Sequence, residues 1–357
     1  MAGRLRRTSL ASRATEWQAR PFRAWCYGVT RRVGAFILGA AIIAAVAAPF
    51  LAPHAPGDHA GRLLNAPPTV PHLRDDSGAW HAPFIYPWRL VNQLEQRYEQ
   101  DRSRRVPLAW LSNGRLVESS DDAQAPLMFL GADSFGRDVF SRVLFGARLS
   151  LGLAAVAALG AMLLGSAVGA AAGYIGGVWD DVLMRATDFV MVLPAIYVAL
   201  ALRAVLPLVL APRTLFAMLA GIFAVVGAPF IARGVRGIVR SERRLDYASA
   251  AEALGASGAR LLARHLLPAA RGFIVVQITL LVPAFIVAEA TLSYVGLGFP
   301  DPIASWGTML HDASSNLRVF ADFPWLLSPA VAMFLVVFSL NLVLQQAGAP
   351  VVYNERS

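Results

Sequence analysis

Apolar positions in this chain gather into runs of about twenty residues, separated by stretches crowded with Arg, Pro and acids. A helix of that length matches the hydrocarbon core of a bilayer. The pattern predicts six spans: Val33 to Ala52, Leu149 to Tyr174, Asp188 to Leu210, Thr214 to Ala232, Gly272 to Leu292 and Trp325 to Gln345. The third carries Asp188 at its start and Arg203 inside. It spans if those charges reach opposite interfaces, and is otherwise re-entrant. The predicted fold class is all-α, a polytopic bundle of six transmembrane helices. Residues 53–130 interrupt it as an insert rich in Pro, His and charge, with a helix-like stretch near Leu90 to Arg102. The expected organisation is an Arg-rich segment 1–32, a first span 33–52, the insert 53–130, a membrane domain 131–345 with an internal loop 233–271, and a tail 346–357.

Composition agrees with that pattern: 56% of the 357 residues are hydrophobic and 15% are charged, against about 25% charged in soluble domains. No lysine is present; all 32 basic residues are Arg. A phosphate-binding loop of the Walker A type needs its Lys, so the chain does not hydrolyse ATP by that route, and Schiff-base chemistry on Lys is excluded as well. The arginines sit mainly between apolar runs, which fits topology signals better than nucleic-acid binding. Cys26 stands alone, so no internal disulfide or thiolate zinc site is available.

Arginine placement sets the orientation. Eight Arg and one acid precede the first span, and eight Arg and three acids occupy 233–271. Six spans place both segments on one side, read as cytoplasmic, together with both termini. The loop from Ser293 to Pro324 holds three Asp and one Arg, as expected outside. The competing reading of the first span is a cleavable signal peptide with Ala45, Ala47 and Ala48 near the cut. The long basic stretch before it favours an uncleaved anchor. Four of the six His lie in the insert (His54, His59, His72, His81). Their irregular spacing favours solvated loop residues over a metal site.

Several positions carry candidate chemistry. Gly165, Gly169 and Gly173 make a smooth stripe on one helix face, a packing seam within the bundle or against a partner. Glu289 is the carboxylate well inside a predicted span. It either meets a solute's ammonium group or, as favoured by its place near the outer end, pairs with an Arg. Gln277 and Asn341 are in-span amides able to hydrogen-bond between helices. Asp133, Arg137 and Asp138 can form an ion-pair latch around the Gly136 turn, with Arg142 close by. In the cytoplasmic segment Asp246–Pro268, Asp246 can cap a first short helix. Tyr247, Ala250, Ala251 and Leu254 share its face, and Gly255 ends it. Ser257 can cap a second helix, where Leu261, Leu262 and His265 share a face, and Pro268 stops it. Such a hairpin, small and apolar on one side, suits close protein packing better than lipid anchoring.

This segment resembles the EAA coupling loop of ABC importer permeases. Ser249-Ala250-Ala251, Gly255 and Leu267-Pro268 keep its register. Ser249 replaces the usual Glu and His265 a hydrophobic residue; Glu252, one turn on, can compensate. Gly131-Ala-Asp-Ser-Phe-Gly-Arg-Asp-Val-Phe-Ser-Arg142, Gly146-Ala-Arg-Leu-Ser-Leu151, Gly173-Tyr-Ile-Gly-Gly177, Glu289-Ala-Thr-Leu-Ser-Tyr-Val-Gly-Leu-Gly298 and Ser305-Trp-Gly-Thr-Met-Leu310 are similar to motifs of the C-type permeases of the dipeptide/oligopeptide importer family. The resemblance covers 130–345 and the first span. It implies a non-catalytic permease subunit in a bacterial inner membrane, forming half of a pathway for peptides or peptide-like solutes. It implies a second permease in a heterodimer, one or two cytoplasmic ABC ATPases holding ATP and Mg, an extracytoplasmic solute-binding protein and surrounding lipid. It implies no cofactor, metal or nucleic acid on this chain. Tyr247, Ser249, Ala250, Ala251, Glu252, Gly255, His265 and Pro268 would face the ATPase. Related systems import nickel chelates, peptide antibiotics or glycosides. A self-sufficient secondary transporter would show inverted repeats with broken helices, and an intramembrane enzyme a catalytic motif; the sequence offers neither.

Overall fold

The computed structural model describes residues 29–193, 197–198, 201, 211–315 and 318–344. Most of the Arg-rich start with Cys26, most of the third predicted span with Arg203, and the tail 346–357 lie outside the described residues. Five helices among the described residues are long and apolar enough to cross a membrane: Val29–Val46 (α1), Val139–Ile175 (α2), Pro212–Glu242 (α4), Arg271–Tyr294 (α6) and Pro324–Val343. The last opens with a 3-10 turn, Pro324–Leu327, and continues as α8, Ser328–Leu344. Shorter helices are Gly177–Val192 (α3), Asp246–Ala253 (α5) and Trp306–Ser314 (α7).

Packing divides the chain into two units, Met1–Ala41 with Phe334–Ser357, and Ile42–Met333. In the first, Gly34 lets α1 approach α8: a Cβ there would stand 2.8 Å from that of Leu342 and 3.0 Å from the Ser339 carbonyl oxygen. Phe334 and Phe338 stack 5.6 Å apart along α8.

The second unit is organised on α2, 37 residues long. Asp138 caps it by accepting from the Phe140 and Ser141 amides at 3.1 and 3.2 Å, which satisfies amides that lack partners in a helix's first turn. The helix therefore starts ten residues before the predicted span. The glycine stripe proves to be an internal seam. A Cβ on Gly165 or Gly173 would meet the carbonyl oxygens of Ala228 and Arg236 at 2.5 and 2.7 Å, and one on Gly169 would collide with the Ala232 backbone. Four-residue steps on α2 thus mesh with four-residue steps on α4, backbone against backbone. α4 also outruns its predicted end at Ala232 and stays helical to Glu242. Its added arginines find acids on α3: Arg236 and Arg240 pair with buried Asp180, and Arg233 with Asp188.

The insert departs from the all-α expectation. Strands His72–Arg74 (β1), Trp80–Ile85 (β2), Val106–Trp110 (β5) and Val117–Ser119 (β6) form an antiparallel sheet in the order β1-β2-β5-β6. Ile85, Val106, Val117, Ala125 and Leu127 fill its core. The helix-like stretch near Leu90 to Arg102 is instead a hairpin of Trp88–Asn92 (β3) and Arg97–Gln100 (β4). Gln96 turns it at φ 53°. Aromatics on the two strands decide the outcome. Trp88 and Tyr98 pack on the cluster of Leu63, Ala66, Met128 and Ala132, and the Tyr98 hydroxyl donates to the Leu64 carbonyl at 2.7 Å.

His54 is not a solvated loop residue; it is 7% exposed. Its amide donates to Ser141 Oγ at 3.1 Å. Its ring lies 2.8 Å from Asp122 in the insert and 3.3 Å from Asp138 at the α2 cap. Burial works against its charge, but the two carboxylates outweigh it and raise the pKa from 6.5 to about 9. His81 is exposed and pairs with Asp75 at 2.8 Å.

Candidate functional site

Residues 131–142 form a tight turn leading into α2. Gly136 adopts φ 76°, and its Cα faces the Ala60 carbonyl so closely that no Cβ fits. The turn delivers Arg137, 4% exposed at its side chain, into a nest of acids. Its Nε donates to Asp133 at 2.7 Å, and its two terminal nitrogens donate to Asp301 at 2.8 Å and Asp312 at 2.9 Å. Arg142, fully buried, adds charge at 3.6 to 3.9 Å from the same three carboxylates and donates to the Pro56 carbonyl at 3.1 Å. The expected latch of Asp133, Arg137 and Asp138 is thus corrected in membership. Asp138 turns to the helix cap and His54, because its extended backbone at the N-cap aims the carboxylate at free amides. Asp301 and Asp312 take its place, 164 and 175 residues away in sequence. Local spacing carries no sign of them; their trace in the sequence is the acid excess of their loop.

The motif following α6 serves packing around this hub. Ser305 and Thr308 close a reciprocal capping box at the start of α7. Trp306 is buried and donates to the Val143 carbonyl at 3.1 Å. Gly307 lets α7 approach the Ala290 backbone of α6.

Glu289 is 1% exposed. Its carboxylate accepts from Ser150 on α2 at 2.8 Å and from Ser293, one turn along α6, at 2.7 Å. The expected arginine is not its partner, nor is the carboxylate open to a solute in this chain. A carboxyl group buried in a helix interface needs hydrogen bonds, and two hydroxyls supply them. Asn341 is exposed and donates to the Val337 carbonyl of its own helix at 2.9 Å, so it does not bond between helices in this chain. Gln277 is half-buried and bonds to no described side chain.

At the other end of α2 lies the hairpin 246–268. Leu245, not Asp246, is the N-cap of α5, and no side chain caps it. Asp246 sits instead in the first turn, where its charge suits the helix dipole. The end is as expected. Gly255 has φ 85°, its amide donates to the Glu252 carbonyl at 2.9 Å, and the Ala256 amide donates to that of Ala251 at 3.0 Å. Those two bonds define a Schellman stop, which a left-handed glycine permits. α5 buries Ala248 alone. Tyr247 and Leu254 are 41% and 89% exposed, and Ser249, Ala250 and Glu252 are exposed too, with Ala251 half-buried. Tyr247 donates to Glu242 at 2.6 Å.

The second helix starts at Ser257, which makes no side-chain cap bond. A π-turn, Leu262–Leu266, follows, with the Leu267 amide donating to the Leu262 carbonyl. Five-residue spacing turns Leu261 and Leu266 inward, both fully buried, and His265 outward. The predicted face of Leu261, Leu262 and His265 is corrected accordingly. Pro268 does not stop the helix; it lies in the turn Leu267–Ala269 that leads to α6. It has no amide proton to give to a carbonyl one turn upstream. The hairpin rests on α2 through Gly258, where a Cβ would lie 2.5 Å from the Tyr174 hydroxyl. Arg243 stacks on the Tyr174 ring at 4.4 Å.

The family described as binding-protein-dependent transport system inner membrane component matches residues 162–348. The oligopeptide transport system permease protein of Bacillus subtilis is 38% identical over 216 residues, 60% of this chain and 68% of that protein. The dipeptide transport system permease protein of Alkalihalophilus pseudofirmus is 35% identical over 241 residues, 67% of this chain and 76% of the relative. The glutathione transport system permease protein of Pectobacterium atrosepticum is 35% identical over 215 residues, 60% and 69% of the two chains. With helices fit to cross a bilayer and these matches, the chain belongs to the binding-protein-dependent transport system inner membrane components, as a multi-pass permease subunit of an ABC transporter.

Proposed function

We propose that this subunit carries peptides or peptide-like solutes inward as half of a pathway completed by a second, different permease. ATP and Mg are held by one or two cytoplasmic ATPase subunits, and an extracytoplasmic solute-binding protein delivers the cargo. Both termini and the hairpin 246–268 lie on the cytoplasmic side of a bacterial inner membrane. The names of the relatives, oligopeptide, dipeptide and glutathione transport, support the solute class.

One observation carries the coupling role: α5 ends in a Schellman stop and leaves Ala250 and Leu254 exposed, with Tyr247 beside them partly exposed and tied to Glu242. An exposed apolar face on a well-formed helix calls for a partner. Closure of the ATPase dimer pushes this face, and the stroke passes through Gly258 and Tyr174 into α2. Ser249 in place of a carboxylate shifts polar contact with the ATPase toward Glu252 and His265, both exposed.

The test is co-purification and uptake. Tagged chain should bring down an ATPase, and Ala250→Cys should crosslink to it. Gly255→Asp, which forces a side chain into a left-handed position, should abolish uptake while leaving the subunit in the membrane. Uptake that persists without any ATPase would overturn this function.

A further inference from the structure

Three arginines mark the start of α2, and they differ in what they touch. Arg137 and Arg142 are buried among acids. Arg148 is exposed and pairs with no described residue. It stands on the wall of a cleft of about 520 Å³ whose other walls are apolar: Phe145, Leu149 and Gly152 of α2, Phe216 near the start of α4, and Pro302 and Ile303 of the loop after α6. Residues 145, 148, 149 and 152 fall at the spacing of one helix face. The opposite face holds Ser150, buried against Glu289. Nothing stands within 4 Å of a Cβ built on Gly152, so the cleft floor is open there. Concave apolar walls with one well-placed charge are the usual make-up of a small-molecule site.

We propose that this cleft receives the carboxylate end of the solute. Arg148 holds the carboxylate in a charge-assisted, two-pronged hydrogen bond, and the apolar walls take the adjoining side chain. The proposal rests on the importer function above, which sets this end of α2 outside, where solute arrives. Charge complementarity selects the occupant. Among the described residues the guanidinium has no acid beside it, unlike its two neighbours, and a free peptide terminus brings one. Open space at Gly152 gives the adjoining residue room. Arg148 is thereby a specificity-determining residue, selecting acids over amides.

The experiment uses the whole transporter in proteoliposomes with a peptide bearing a photoreactive C-terminal residue and a free carboxylate. The label should map to 145–152 or 302–304. In Arg148→Gln it should fall about tenfold, and Arg148→Lys, which keeps the charge but not the fork, should fall less than Arg148→Gln. Gly152→Leu, which fills the floor, should lower it as well. Labelling elsewhere, or unchanged labelling in an assembled Arg148→Gln complex, overturns the proposal. So does loss of the second permease from that variant, which would make Arg148 an interface ion pair. So does a drop that vanishes when anionic lipids are replaced by neutral ones, which would make it a headgroup anchor. A wild-type complex with no ATP-dependent uptake would overturn the importer function itself, a distinct result.

Discussion

The hub around Arg137 and the hairpin around Gly255 sit at opposite ends of one helix and handle their chemistry in opposite ways. At the hub, Arg137 hydrogen-bonds all three aspartates inside the chain while Arg142 adds charge at longer range, its buried Nε and Nη2 making no hydrogen bond; the two side chains are 4% and 1% exposed. At the hairpin, the chain spends its bonds on holding the backbone and leaves the side chains outward. Both motifs are specific in sequence, yet one is consumed by the fold and the other leaves its side chains exposed. A motif's specificity therefore says little about where it acts; the burial of its polar and apolar groups separates the two cases.

That contrast can be broken at its buried end first. Arg137→Ala strands three aspartates with a single arginine at longer range. Removal of one member of a buried ion network costs about 3–5 kcal/mol, so little folded protein should survive a thermal melt in detergent. His54 comes next. Its pKa is raised from 6.5 to about 9, so its contribution is fully present below pH 6.5 and is lost as pH rises through 9. The gap corresponds to about 3 kcal/mol. The melting temperature of the wild type should fall between pH 6.5 and 9.5, and His54→Ala should flatten that slope. Persistence of the slope in His54→Ala would separate His54 from it. Gly169→Leu forces the seam between α2 and α4 apart and should cost about 1–3 kcal/mol, read as a lower melting temperature with the helix content unchanged. Leu254→Ser should change stability by about 0.5 kcal/mol or less, as exposed positions do, yet reduce uptake. An equal loss of stability there would erase the distinction between the two ends.

The membrane helices were legible because their signal is local: an apolar run needs no partner to be read. The glycine stripe and the stop at Gly255 were legible for the same reason. The β insert was not. Leu90 to Arg102 has apolar residues at a spacing compatible with a helix, and it became a hairpin because Trp88 and Tyr98 found a distant surface formed by Leu63, Met128 and Ala132. The burial of His54 is not legible locally because its acids lie 68 and 84 residues away. The partners of Glu289 are not legible either: charge suggests an arginine, whereas the hydroxyls of Ser150 and Ser293 carry no signal in the sequence. The π-turn at Leu262–Leu266 escaped a reading based on α-helical spacing alone.

The seam of Gly165, Gly169 and Gly173 has a mechanical consequence. With backbones in contact over about two helical turns, α2 and α4 have little freedom to bend or slide separately. At 37 residues, α2 is a rod roughly 56 Å long, with the hairpin at one end and the aspartate hub at the other. For a rod of that length, pivoted at one tip, a tilt of ~5° swings the opposite tip by ~5 Å. That is about the width of a peptide backbone, so a small angular stroke at the hairpin end is geared into a displacement of that size at the hub end.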